Sequence, residues 1–234
     1  MKSIFKNLTY FTLFYFFLFA VDAYVKVFFL HSLLRYITKG ALIIALLYYF
    51  ILNNNDTSQR NIRLIVLAIC SFLIGDELII AGNINRYFFV LGVIFFGIGK
   101  ILYSIRFSHK KDFNTLKLLP FLLFCFSYMS VVMMIIYDNL NSYFIPVLIY
   151  LFIVMLTAQF AFLRRSEVNN ISYFLVLIGV VFSMFSDSIT LLKEFYSETI
   201  AYNQYTIMLF YALSQYFIVI GLVKERKKLI MMQY

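Results

Sequence analysis

The sequence predicts an all-α membrane protein, a bundle of eight transmembrane helices, and three observations carry that prediction. Hydrophobic residues make up 63% of the chain and charged ones 13%, with a mean hydropathy of +0.89, whereas a soluble domain carries about 25% charged residues. The apolar residues come in runs of the length a helix needs to cross about 30 Å of hydrocarbon, about 20 residues. Between the runs the polar residues gather in short clusters, and since lipid satisfies no backbone group the runs must be helical. Eight such spans fill a chain of 234 residues, so residues 1–234 read as one integral-membrane domain with no soluble domain beside it.

The first span is expected near 7–23, behind Lys2 and Lys6. Its apolar run has the length of a signal peptide's, but no small-residue cleavage site follows, so it reads as a span. The stretch Tyr24 to Arg35 (YVKVFFLHSLLR) is too short and too charged to cross and reads as an interfacial segment. The remaining spans fall near 37–52, 62–82, 86–106, 117–136, 143–162, 171–193 and 204–222. Solvated loops such as NNNDTSQR, SHKKDFN, DNLNS and RRSEVNN separate them.

Positive residues collect in cytoplasmic loops, so the distribution of the 20 lysines and arginines fixes the orientation. Alternate loops place Lys2, Lys6, Arg60, Arg63, Arg106, Lys110, Lys111, Lys117, Arg164, Arg165, Lys224, Arg226, Lys227 and Lys228 on one side. Only Lys26, Arg35, Lys39, Arg86 and Lys193 fall on the other, and Lys100 lies inside a span. This split requires an even number of spans with both termini cytoplasmic, as in a protein of the cell's inner membrane. The net charge of +9 is therefore an orientation signal with some affinity for anionic membrane lipids, not a nucleic-acid footprint. By the same reasoning the run KERKK after Val223 reads as a solvated end.

Cys70 and Cys125 sit inside apolar runs and read as small buried hydrophobes. With only His31 and His109, both in or beside loops, no zinc site is expected, and no other metal or cofactor.

Ionisable residues inside spans are costly and face the bundle interior, so they are the first candidates for function. Span three carries Gly75, Asp76 and Glu77, span four Lys100, and span seven Ser186, Asp187 and Ser188. On span seven, Gly179, Ser183, Ser186, Asp187 and Thr190 recur at intervals of three and four and form one polar stripe. Gly92, Phe96, Lys100, Tyr103 and Phe107 do the same on span four, and Tyr211, Ser214 and Gln215 on span eight. Three such seams can be hidden only by turning them toward one another. Counting about 1.5 Å per residue, Asp76 and Asp187 lie roughly 20 Å and 25 Å from the cytoplasmic end, with Tyr211 level with Asp76. Lys100 lies about 10 Å from that end and is expected below the carboxylates. Glu77, turned about 100° from Asp76, is expected at the interface or a loop. A purely structural role, in which the aspartates fasten helices together, stands beside the functional one.

At these positions the chain resembles the YhhN-like family of membrane lysoplasmalogenases. The blocks that agree, in order, are Gly75-Asp76 with Leu78; Gly92, Phe96, Tyr103 and Phe107; Pro146 with Tyr150; Gly179, Phe182, Ser186-Asp187-Ser188 and Phe195; and Tyr211-Ala212 with Gln215. The similarity runs from Thr38-Lys39 onward. Three positions depart from the family's usual residues: Lys100 replaces a histidine, Gly40 a proline and Lys193 an asparagine. The resemblance implies an eight-helix enzyme that hydrolyses the vinyl ether bond of a lysoplasmalogen, a lysophospholipid, to a fatty aldehyde and a glycerophospho-headgroup. Such chemistry needs an acid to protonate the alkene carbon and a base to guide water, and two carboxylates with different proton affinities supply both. Asp76 and Asp187 are the candidate pair. Tyr211 and Gln215 are candidates to position water or headgroup, Lys39 and Lys100 to hold phosphate, and Tyr103 and Ser186 to line the substrate site. A proton-coupled or lipid-handling transporter and a non-catalytic helical protein are the rival readings, and the sequence shows no convincing internal repeat in favour of the former.

The charge split makes a prediction about sidedness. Topology reporters fused after Tyr234 and inserted between Asn114 and Thr115 are expected to report the cytoplasm, and one placed between Asn139 and Asn141 the opposite side. Opposite locations for the first two would overturn the even span count.

Overall fold

Each apolar run closes its own backbone hydrogen bonds as a helix, because hydrocarbon offers no other partner. The computed structural model describes residues 2–29, 32–56, 58–82, 84–108, 115–197 and 203–226. Its helices are the short α1 (Lys2–Lys6), then α2 (Leu8–Phe28), α3 (Leu33–Asn53), α4 (Gln59–Ala81), α5 (Arg86–Phe107), α6 (Thr115–Leu140), α7 (Phe144–Leu163), α8 (Asn170–Phe195) and α9 (Asn203–Val223). Local chemistry sets two of the starts. Asn7 and Asn85 accept the free N–H of Thr9 and Tyr87 at the beginnings of α2 and α5.

Among the described residues, seven stretches are long and apolar enough to cross a membrane, where the sequence predicts eight spans. The difference lies in Leu119–Ser166, one stretch of 48 residues that holds most of α6 and all of α7. Straight, it would measure about 70 Å, more than twice the hydrocarbon thickness. It turns instead through the 3-10 segment Asn141–Tyr143, where Asn141 takes a φ of 44°, a conformation asparagine tolerates better than most residues. Phe121 near the start of α6 stacks on Phe162 near the end of α7, with ring centroids 4.6 Å apart. The two helices therefore run antiparallel.

The expected interfacial segment between the first two spans is shorter than the sequence suggests. Helix α2 continues to Phe28 and α3 begins at Leu33, so Tyr24 and Lys26 extend one helix and Arg35 the next. The physical reason is an ion pair across the turn, from the Arg35 guanidinium to the buried Asp22 carboxylate. Thr38 donates to the same carboxylate at 2.8 Å. His31 and His109 lie outside the described residues.

Six helices form a closed ring. In the order α3, α4, α5, α7, α8, α9, each packs on the next, and α9 returns to α3. Helix α2 lies outside against α3 and α9, and α6 outside against α7 and α8. Two of these contacts bring backbones together. A Cβ on Gly92 would stand 3.0 Å from the Gly75 carbonyl oxygen, and one on Gly179 would stand 2.9 Å from that of Ser214. Bare glycines at those crossings let α5 reach α4 and α8 reach α9, as helix packing in lipid favours.

At one end of the ring the chain builds a buried ionic clamp. Arg106 reaches Asp56 at 3.1 Å and Glu225 at 2.9 Å, and Arg164 reaches the same Glu225 oxygen at 2.7 Å. The Arg164 guanidinium also lies over the Phe107 ring, 5.0 Å from its centroid. The expectation of a wholly solvated KERKK segment is therefore corrected at Glu225, whose side chain is only 7% exposed. Arg106 and Arg164 end their helices buried, and a buried guanidinium requires a counter-charge. Glu225 supplies it.

Glu225→Gln should strand Arg164 without a counter-charge and destabilise the protein by about 3–5 kcal/mol. Thermal unfolding in detergent measures this, with the neighbouring exposed Lys224→Gln as the control expected to leave the midpoint in place. An unchanged midpoint for Glu225→Gln would mean that the clamp does not hold the helix ends.

A candidate active site inside the helix ring

The ring surrounds a cavity of about 510 Å³. Its walls are largely apolar, with Ile79, Ile80, Phe89, Val93, Phe96, Val147 and Met208 among them, and both candidate carboxylates, Asp76 and Asp187, face into it. Helices α4 and α8 stand opposite one another in the ring order, so the two carboxylates approach the cavity from different sides.

Each carboxylate is gripped by a lysine from one ring helix and a tyrosine from another. On α4, Asp76 accepts the Tyr211 hydroxyl of α9 at 2.7 Å, and the Lys39 ammonium of α3 stands 3.6 Å from its other oxygen. Lys39 also lies 4.3 Å from the centroid of the Tyr211 ring, a cation–π contact. On α8, Asp187 accepts the Tyr150 hydroxyl of α7 at 2.8 Å and pairs with the Lys100 ammonium of α5 at 2.8 Å. Ser183, one helical turn before Asp187, accepts from Lys100 and donates to Asp187 at 3.4 Å. Each of the six ring helices thus contributes one member of an Asp–Lys–Tyr triad. Asp76, Asp187, Lys39 and Lys100 are all under 10% exposed, and charges removed from water this far are tolerable only when paired.

The pairing of Lys100 with Asp187 corrects the expectation that this lysine lies below the carboxylates. The depth estimate counts Cα positions, but side chains lean toward the N-terminus of their own helix. Arg86 at the start of α5 and Lys193 at the end of α8 both line the cavity, so these helices run in opposite directions. Lys100 is therefore lifted and Asp187 lowered, and they meet. The ammonium itself reaches Asp187 from beneath and does not line the cavity.

The other expected residues divide. Lys39, Ser186 and Tyr211 line the cavity, and Ser186 also donates to the Ile207 carbonyl at 3.1 Å. Tyr103 and Gln215 do not line it; the Tyr103 hydroxyl donates to the Gln215 side chain at 3.3 Å and ties α5 to α9 in the core. Glu77 is half-buried, not at a loop, and its carboxylate occupies the space beside Gly40 of α3.

Several residues that sequence reasoning passed over belong to the site. Asp22 is fully buried and holds Arg35, which lines the cavity. It was hidden by its position near the expected end of the first span, and its partner on another helix obeys no spacing rule. Tyr150 enters the sequence reading only as part of a motif, whereas here it donates directly to Asp187. Lys26, Arg86, Lys193 and Glu194 also line the cavity. Arg86, Tyr143, Lys193 and Glu194 are shared with a polar surface cleft of about 600 Å³ between the α6–α7 turn and the end of α8. The cavity therefore opens at this end, away from the ionic clamp.

No curated protein and no solved structure matches the chain. The family model described as the YhhN family matches residues 34–222. That stretch runs from the first turn of α3 nearly to the end of α9 and contains all six residues of the two triads, with Asp22 outside it. A match over most of the chain, carrying the whole paired core of the cavity, establishes that this protein belongs to the YhhN family.

Proposed function

We propose that the protein is a membrane hydrolase that cleaves the vinyl ether bond of lysoplasmalogen-type lipids to a fatty aldehyde and a glycerophospho-headgroup. In this reading all eight long helices cross the inner membrane, with both termini and the ionic clamp on the cytoplasmic side. The observation that carries it is the pair of buried carboxylates facing one largely apolar cavity, each with its own lysine and tyrosine.

The reaction follows from that arrangement. One carboxyl group protonates the alkene carbon of R–CH=CH–O–R′, leaving an oxocarbenium ion. The other accepts a proton from water as the water oxygen bonds to the cationic carbon. The resulting hemiacetal, R–CH₂–CH(OH)–O–R′, loses its hydroxyl proton and expels R′–O as the alcohol of the headgroup, which takes up a proton. The products are R–CH₂–CHO and R′–OH, one water is consumed, and no oxidant or reductant is required. Tyr211 and Tyr150 orient the carboxylates through hydrogen bonds to one oxygen each, and Lys39 and Lys100 offset their charge during the cationic step. Tyr103 and Gln215 support this set from the core. Ser186 stands where water or the glycerol backbone would lie.

The central ion pairs would also suit a proton-coupled carrier, so the deciding assay is aldehyde release by the purified protein. Asp76→Asn and Asp187→Asn are each expected to lower turnover about a hundredfold or more. Since Asp187→Asn also leaves Lys100 without its counter-charge, Asp187→Asn combined with Lys100→Gln separates chemistry from packing. Removing both charges of a buried pair is often close to neutral for stability, so that double variant should unfold near the wild-type temperature and still lack turnover. Asp76→Asn with Asp187→Asn should be scarcely slower than the poorer single, as residues acting in one unit are non-additive. Near-normal aldehyde release by Asp187→Asn would sink the two-carboxylate mechanism.

A further inference from the structure

The five positive residues on the sparse side of the charge split are Lys26, Arg35, Lys39, Arg86 and Lys193. They come from α2, α3, α5 and α8, and all five line the same cavity. Positive residues on that side work against the orientation signal of the rest of the chain, so their convergence on one cavity needs a cause.

Among the described residues, the carboxylates around the cavity are fewer than the cations. The acidic residues lining the cavity are Asp76, Asp187 and Glu194. Counting in the partners behind the walls adds Asp22, held by Arg35, and Lys100, held by Asp187. With Glu77, whose carboxylate stands beside Gly40 of α3, that is formally six cations against five carboxylates among the described residues, a surplus of one positive charge. At the open end Arg86 and Lys193 face one carboxylate, Glu194, whereas Lys39 and Lys100 are each committed to a carboxylate deeper in. At the opening, the Arg86 guanidinium lies over the Tyr143 ring, 5.0 Å from its centroid, an arrangement that leaves the guanidinium edge for an incoming acceptor. Lys193 stands beside it in the wall with Glu194, its partner at 3.1 Å. Apolar walls behind a net positive opening focus the field there and favour an anion.

We infer that Arg86 and Lys193 form the phosphate site of this cavity, and that the phosphate they take is the phosphodiester of a single-chain lipid. This assignment rests on the hydrolase reading for the bond that is cleaved, but not for the binding itself. It moves phosphate recognition away from Lys39 and Lys100, which serve the carboxylates, to the opening shared with the polar cleft. The lipid then sits with its headgroup at the opening and its ether-linked carbons at Asp76 and Asp187.

The test is equilibrium binding to full-length protein in a non-ionic detergent, which supplies no phosphate. Three probes are compared: an ester-linked lysophosphatidylcholine, which has no vinyl ether to cleave, a monoacylglycerol of the same chain length, and inorganic phosphate. Arg86 is exposed at the first position of its helix and the Lys193 side chain is 41% exposed, so Arg86→Gln and Lys193→Gln leave the fold intact. The lysophospholipid should bind more tightly than the monoacylglycerol, and each substitution should weaken it about tenfold or more without moving the monoacylglycerol. In turnover the same substitutions should raise KM and leave kcat in place. Equal affinity for the two lipids, or no loss on either substitution, would overturn the site. Inorganic phosphate binding as tightly as the lysophospholipid would overturn its assignment to a lipid. Arg86-dependent lysophospholipid binding by a protein that releases no aldehyde would uphold the site and sink the hydrolase reading alone.

Discussion

Hydrocarbon offers no partner to a charge, and the arrangement of this protein follows from how it pairs four charges that its ring helices carry deepest inward. Asp76, Asp187, Lys39 and Lys100 sit on four different helices, so none can be neutralised within its own helix. Each pair can close only when two helices are brought together, and the tyrosines of α7 and α9 complete each carboxylate from a third side. Lys39 meets Asp76 and Tyr150 meets Asp187 between adjacent helices, whereas Lys100 reaches Asp187 and Tyr211 reaches Asp76 across the ring, which must be narrow enough for them to meet. Glycines at the α4–α5 and α8–α9 crossings permit it by allowing the backbones to touch.

Pairing of this kind is weak evidence for stability, since the cost of taking two charges out of water offsets much of their attraction. A bundle seeking only stability would fill these positions with leucine and phenylalanine. Keeping paired charges around a cavity would, in the hydrolase proposed above, let acid and base groups meet an apolar substrate. The two triads are alike in composition but not in tightness. Lys100 is in hydrogen-bond contact with Asp187 and with Ser183, while Lys39 stands 3.6 Å from Asp76 and shares itself with the Tyr211 ring. That asymmetry gives the two carboxylates different surroundings, which an acid and a base acting on one substrate require.

The two ends of the ring serve opposite needs. At one, Arg106 and Arg164 converge on Glu225 and close the bundle. At the other, Arg86, Lys193 and Glu194 surround an opening between the cavity and a polar cleft. The proposed lipid would enter such a gradient in one orientation, head at the opening and chain toward the apolar wall.

Much of this was legible in the sequence. Hydropathy and polar breaks mark the long helices, because a span must be about 20 apolar residues wherever it occurs in the chain. Recurrence at three and four residues marks the inward faces, because the helical repeat is fixed by the backbone. Asp76, Asp187, Lys39 and Tyr211 could be singled out on those grounds and by family resemblance. Which lysine serves which aspartate, that Asp22 anchors Arg35, that Glu225 turns inward while its neighbours Lys224 and Arg226 stay exposed, and that the five exceptional cations share one cavity could not. Those are contacts between helices distant in sequence, and no periodicity along a single helix encodes the rotation, tilt and neighbour that packing assigns to it. That these charges must be hidden from lipid follows from where they stand in apolar runs; their partners follow from packing, because a charge in hydrocarbon is satisfied by whichever partner the fold brings within reach.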